Sequence, residues 1–104
     1  MVKKIESSEE YDSALKNSKY VFVDFFADWC GPCKMVGPVV DKVSEQYDDV
    51  TFLKVNVDDF PDIAQRYGIM SIPTLLGFRD GQLTSKIIGF QPEAGIKDAV
   101  EKIR

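Results

Sequence analysis

An apolar run, Tyr20-Val21-Phe22-Val23-Asp24-Phe25-Phe26-Ala27, is separated by one residue from Trp29-Cys30-Gly31-Pro32-Cys33. Eight residues this rich in Val and Phe read as a central strand buried on both faces. Whatever surrounds that strand must cover it on two sides, and the chain must then turn sharply into the two cysteines.

The flanking patterns supply the cover. Val2–Ile5 is expected as a short edge strand. Ser7 with Glu10 three residues on reads as a capping box opening a helix to about Lys16. Lys34–Tyr47 carries Met35, Val36, Val39, Val40 and Val43 at helical spacing, with Pro38 expected to kink it. Thr51–Val57 alternates as a strand. Phe60-Pro61 opens a helix to about Tyr67, ended by Gly68. Thr74–Phe78 and Leu83–Gly89 flank Asp80-Gly81, a strong hairpin signal. Pro92–Ile103 closes as an amphipathic helix with Ile96, Ala99, Val100 and Ile103 towards the core. The predicted order is β-α-β-α-β-α-β-β-α, an α/β fold. Its alternating part implies parallel strands with right-handed crossovers and its hairpin antiparallel ones. A mixed sheet of about five strands with helices on both faces follows.

Cysteines at i and i+3 share a helical face, with Cβ atoms about 5–6 Å apart. A disulfide needs about 3.5–4.5 Å, so a small tightening of one turn closes or opens the bond. A helix N-terminus offers free N–H groups and the positive dipole end, which favour a thiolate on Cys30. Pro32 fits there because a first-turn residue has no intrahelical N–H bond to lose. Two other readings compete with redox chemistry. As a structural staple the pair is weak, since so short a loop removes only about 2 kcal/mol of denatured-state entropy. As a zinc site it is incomplete, because four Cys or His ligands are usual and the chain has two cysteines and no histidine.

At 104 residues the chain is expected to form one domain spanning 1–104. No apolar run approaches the ~20 residues of a membrane span. The opening Met1-Val2-Lys3-Lys4-Ile5-Glu6 does not read as a signal peptide. Thirteen Lys and Arg against 17 Asp and Glu leave a net charge of −4, which argues against nucleic acid or an anionic membrane as a partner. Two closely spaced cysteines without a disulfide framework point to a reducing compartment, expected to be the cytoplasm.

Val23-Asp24-Phe25, Ala27-x-Trp29-Cys30-Gly31-Pro32-Cys33-Lys34, Pro38, Lys54-Val55-Asn56-Val57-Asp58, Tyr67-Gly68-Ile69, Ile72-Pro73-Thr74, Phe78-x-x-Gly81 and Gly89 together resemble the thioredoxin family over essentially the whole chain. The resemblance implies the thioredoxin fold and a thiol–disulfide oxidoreductase that reduces disulfides in protein substrates. It further implies re-reduction by a thioredoxin reductase, usually an NADPH-dependent flavoprotein, so NADPH serves only indirectly. Implied clients are ribonucleotide reductase, peroxiredoxins and methionine sulfoxide reductase. No bound cofactor or metal is expected, and the chain is expected to be a monomer. A disulfide oxidase or isomerase is the enzymatic rival, and a binding module using an apolar rim is the non-enzymatic one. Three positions depart from the family pattern. Phe26 stands where a second tryptophan is usual, Gly77 where a strand residue is usually apolar, and Phe90 where a smaller residue often follows Gly89.

Cys30, nearer the helix start, is expected to be the attacking nucleophile and the more exposed cysteine, and Cys33 the resolving one. Asp24 lies inside an apolar run, so burial is expected to raise its pKa. By resemblance it relays a proton for Cys33, and Lys54 neighbours and modulates it. From sequence alone, each could equally be solvated. The resemblance also implies a cis Pro73 packed against the cysteines, with the Ile72 backbone open to an extended substrate. Trp29, Gly31, Pro32, Ser71, Ile72, Pro73 and Gly89 are expected to contact substrate. For Val57 and Phe90, core and contact are equal expectations.

Overall fold

A computed structural model describes residues 1–104. Its elements are β1 (Val2–Lys4), α1 (Ser8–Asn17), β2 (Tyr20–Phe26), α2 (Gly31–Ser44), β3 (Thr51–Asn56), α3 (Pro61–Arg66), β4 (Thr74–Arg79), β5 (Gln82–Ile88) and α4 (Glu93–Glu101). One sheet runs in the order β1-β3-β2-β4-β5. β1, β3 and β2 are parallel, β4 runs against β2, and β5, antiparallel to β4, returns to the direction of the first three. The expected order and mixed sheet are both present.

β2 is the middle strand, and each of its faces has its own core. Phe22 packs with Val36, Val40 and Val43 of α2 and with Ile96, Ala99 and Val100 of α4. Val21, Val23 and Phe25 pack on the other side with Tyr11 of α1 and Ile63 of α3. Helices therefore cover both faces, as the period-2 alternation of β2 requires.

Local chemistry fixes the element ends. The Ser7 hydroxyl accepts from the Glu10 N–H at 3.1 Å. Glu10 reaches back to the N–H of Glu6 at 2.7 Å rather than to that of Ser7, a capping box displaced by one residue that also places Glu10 2.8 Å from Lys3 Nζ. α3 ends in a Schellman motif. Gly68 takes φ +61°, and the N–H groups of Gly68 and Ile69 bond the carbonyls of Gln65 and Ala64. α2 starts earlier and ends earlier than its apolar spacing suggests, and it runs unbroken through Pro38. Met35 is 61% exposed: it sits one position off the buried stripe of Val36, Val40 and Val43.

Asp80 (φ 52°) and Gly81 (φ 78°) form the two-residue turn of the β4–β5 hairpin, with Arg79 paired to Gln82. The hairpin register slips between Gly77 and Phe78, a bulge at the position where glycine departs from the family pattern. Gly77 is needed there for space. A Cβ would lie 2.7 Å from Ile103 Cγ2 and closer still to the Ser85 hydroxyl, which is buried and donates to the Ala99 carbonyl at 3.0 Å. Gly77→Ala is thus an overpacking substitution and is expected to destabilise by about 1–3 kcal/mol. Urea denaturation followed by far-UV circular dichroism measures this, and a variant as stable as the parent would mean that Ser85 and Ile103 yield without cost.

Candidate active site

The site lies beyond the carboxyl end of β2, where parallel neighbour β3 and antiparallel neighbour β4 diverge. Such switch points open a crevice at the strand ends. Cys30 and Cys33 are joined by a disulfide, with Cα atoms 5.3 Å apart. Cys30 is the N-cap of α2, and the Cys33 N–H donates to Cys30 Sγ at 3.2 Å. One of the free donors at the helix start is therefore already aimed at the first sulfur, and the dipole adds to it.

Both cysteines are buried, and Cys30 (3%) is not the more exposed of the two, since Cys33 is at 6%. This corrects the expected order of exposure. Its cause is the wall opposite. Ala27, Val57, Phe26 and Ile72 pack around the disulfide, and Cys30 Sγ lies 3.7 Å from the Ile72 carbonyl oxygen. Val57 thus touches the disulfide as well as the core.

The Ile72–Pro73 peptide is cis. Thr74 Oγ1 donates to the Ser71 carbonyl at 2.6 Å, and the Gly89 N–H, at φ +90°, donates to the Pro73 carbonyl at 2.8 Å. Ser71, Ile72, Pro73 and Gly89 are therefore one connected turn. Pro73 is buried, Ile72 half-buried and Ser71 exposed. Trp29, Gly31 and Pro32 are exposed, and Phe90 is 42% exposed, which places it outside the core.

Asp24 is 4% exposed, and its Oδ1 has no hydrogen-bond partner. It stands opposite Lys54 in the β2–β3 register. A cleft of about 190 Å³ is lined by Asp24, Cys33 and Lys54, together with Phe26, Lys34 and Gly37. Cys30 is not among its lining residues. Burial raises the Asp24 pKa from 3.8 to about 7, with Lys54 pulling it down and Asp41 pushing it up. A carboxyl titrating near neutrality beside the inner cysteine can take or give a proton there.

Two contributors lay outside the sequence reading. Asp58 accepts from the Trp29 indole N–H at 2.8 Å. Its own backbone N–H is held by Asn56 Oδ1 at 2.9 Å, an Asx turn that sets the carboxylate's direction. Met70 is 95% exposed and, with Trp29, Val57 and Ile72, lines a second cleft of about 140 Å³. The Asn-x-Asp spacing after a strand signals the first, and no sequence pattern marks the second. No group of three or more His, Cys, Asp or Glu side chains converges as a metal-ligand set.

The thioredoxin family model matches residues 2–102. Thioredoxin-2 of Saccharomyces cerevisiae is 46% identical over 101 residues, covering 96% of each chain. A mutant thioredoxin from Halobacterium salinarum superposes with a TM-score of 0.91 at 36% identity, over 98% of this chain and 89% of that one. A chain from work on the thiol resolving mechanism in yeast mitochondrial 1-Cys peroxiredoxin via glutathione/thioredoxin systems superposes with a TM-score of 0.86. It is 38% identical and covers 96% of this chain and 94% of its own.

The Asp24 carboxyl sets a pH dependence of stability. Its unfolded pKa is about 3.9 and its folded pKa about 7, so the folded state holds the proton more tightly. Stability contributed by the neutral carboxyl is therefore full below pH 4, declines between about pH 4 and 7, and is gone above that. Asp24→Asn cannot ionise and is expected to stabilise the fold at pH 8 by a few kcal/mol, bounded near 4, with no such gain at pH 4. Denaturant titrations across this range measure it. A variant less stable than the parent at pH 8 contradicts the assignment.

Proposed function

The chain belongs to the thioredoxin family and is a thiol–disulfide oxidoreductase acting on protein disulfides, and we propose that Cys30 attacks while Cys33 resolves. The thiolate of reduced Cys30 attacks one sulfur of a substrate disulfide, and the other substrate sulfur leaves as a thiolate that takes up a proton. Asp24 takes the proton of Cys33. The Cys33 thiolate then attacks Cys30 Sγ, the second substrate sulfur leaves, and the Cys30–Cys33 disulfide carries the two electrons' worth of oxidation away. The observation that carries this reading is the asymmetry of the pair. Cys30 caps the helix and receives the Cys33 N–H, whereas Cys33 alone shares the cleft with Asp24. Lys54, opposite Asp24, tempers its basicity.

Trp29, Gly31, Pro32, Ser71, Ile72, Pro73 and Gly89 form the substrate surface in this reading, with the Ile72 backbone pairing an extended client strand. We place the oxidised chain as a substrate of an NADPH-dependent thioredoxin reductase. Its clients are ribonucleotide reductase, methionine sulfoxide reductase and peroxiredoxin, the last in keeping with the yeast peroxiredoxin study among the similar structures. Residues 1–104 act as one monomeric domain in the cytoplasm under this proposal. No helix is long and apolar enough to cross a membrane.

Cys33→Ser is expected to hold clients as stable mixed disulfides through Cys30, and Cys30→Ser to hold few. Mass spectrometry of the trapped species separates the two, and equal trapping by both variants reverses or abolishes the assignment. In stopped-flow reduction of insulin, Asp24→Asn is expected to slow resolution while sparing the first attack. A parental rate throughout removes Asp24 from the chemistry.

A further inference from the structure

Phe26 follows Asp24 by two residues on β2, so the ring and the carboxyl leave the same face of the sheet. On that face Asp24 stands opposite Lys54, and Lys54 opposite Lys4 of the edge strand. Both ammonium groups gather at the ring. Lys54 Nζ lies 5.8 Å and Lys4 Nζ 6.0 Å from the Phe26 centroid. An aromatic face attracts a cation within about 6 Å, more strongly where water is partly excluded. Lys54 enters no ion pair within 4.0 Å, although the nearest-row carboxyl has an unpartnered oxygen. The cation has an anion in reach along the register and rests on a ring instead.

We propose that Phe26 is a positioning residue for the proton relay, its ring holding the Lys54 ammonium out of a direct ion pair with Asp24. This rests on the reading of Asp24 as the relay of Cys33. The consequence is chemical. An opposite charge in contact lowers a carboxyl pKa by about 1–3 pH units. A carboxylate so paired is a poor base at neutral pH, because proton transfer works best when the pKa lies near the working pH. Held on the ring, Lys54 acts on Asp24 through space and leaves it titrating near neutrality. The other charges facing the carboxyl are Asp41 from α2, Asp28 and Lys34 at the cleft mouth, and Lys4 on β1. None changes between the variants below, so differences report Lys54.

The Asp24 side-chain carbonyl carbon, followed by NMR against pH in the intact oxidised protein, reads the midpoint directly. Phe26→Leu is expected to lower it by about one pH unit, and Phe26→Trp, which keeps a ring, to hold the parental value. In a Lys54→Met background Phe26→Leu is expected to produce no fall. A fall of equal size in that background would mean that opening the cleft merely hydrates Asp24, and it overturns the proposal, as does an unchanged midpoint in Phe26→Leu itself. The unsubstituted protein gives a readout independent of any variant's folding. The Lys54 Hε protons are expected upfield of their usual position through the ring current, and unshifted protons overturn the proposal. Parental reduction rates in Asp24→Asn would remove the relay role while leaving the placement of Lys54 to be decided by these midpoints and shifts.

Discussion

Strand β2 has hydrogen-bonded neighbours on both edges and helical layers on both faces, and it still carries a carboxyl. That conflict organises the molecule. An unpaired charge in such a place is costly, so Asp24 is neutral over much of the pH range and gives up its proton only near neutrality. The same burial that penalises the charge sets it beside Cys33 in a cleft with access to water. Stability is given up at one residue, and a group titrating near neutrality stands next to the inner sulfur, in a chain with no histidine.

The strand also dictates where the cysteines sit. Being central, β2 delivers its carboxyl end to the crevice between β3 and β4, and α2 must begin immediately to cover Phe22 and the residues around it. Cys30 caps the helix that starts there, and Cys33 sits in its first turn. Their sulfurs are then walled by Val57 after β3 and Ile72 before β4, each lying beyond the end of a strand flanking β2. The site is assembled from three strand ends because the sheet changes direction there.

Much of this was legible from residues. The nearly continuous apolar run of β2, the Asp-Gly hairpin and the Gly68 helix stop are local signals whose physics does not depend on the rest of the fold. The cysteine pair and its helix start were equally plain. What escaped depended on contacts distant in sequence. The shielding of Cys30 comes from Ile72, 42 positions away. The unpaired state of Lys54 depends on a ring from another strand, and the exposure of Met35 on which side of α2 meets the sheet. Gly77 stands out in sequence only as a departure from the apolar family pattern, and its lack of a side chain makes room for Ser85 and Ile103. The roles of Asp24, Lys54 and Pro73 came from family resemblance, since a buried aspartate and a solvated one look alike in a linear sequence.

The chain's only tryptophan has an optical consequence. Trp29 is 71% exposed, its indole N–H held by Asp58 at the rim of the disulfide. An indole already bathed in water changes its surroundings little when the chain unfolds, whereas the sulfurs beside it change with every turnover. Intrinsic emission from this protein therefore follows its electrons more closely than its fold. Loss of structure is better seen through the backbone or through the buried ring of Tyr11 and the half-buried ring of Tyr67 on the far face of the sheet.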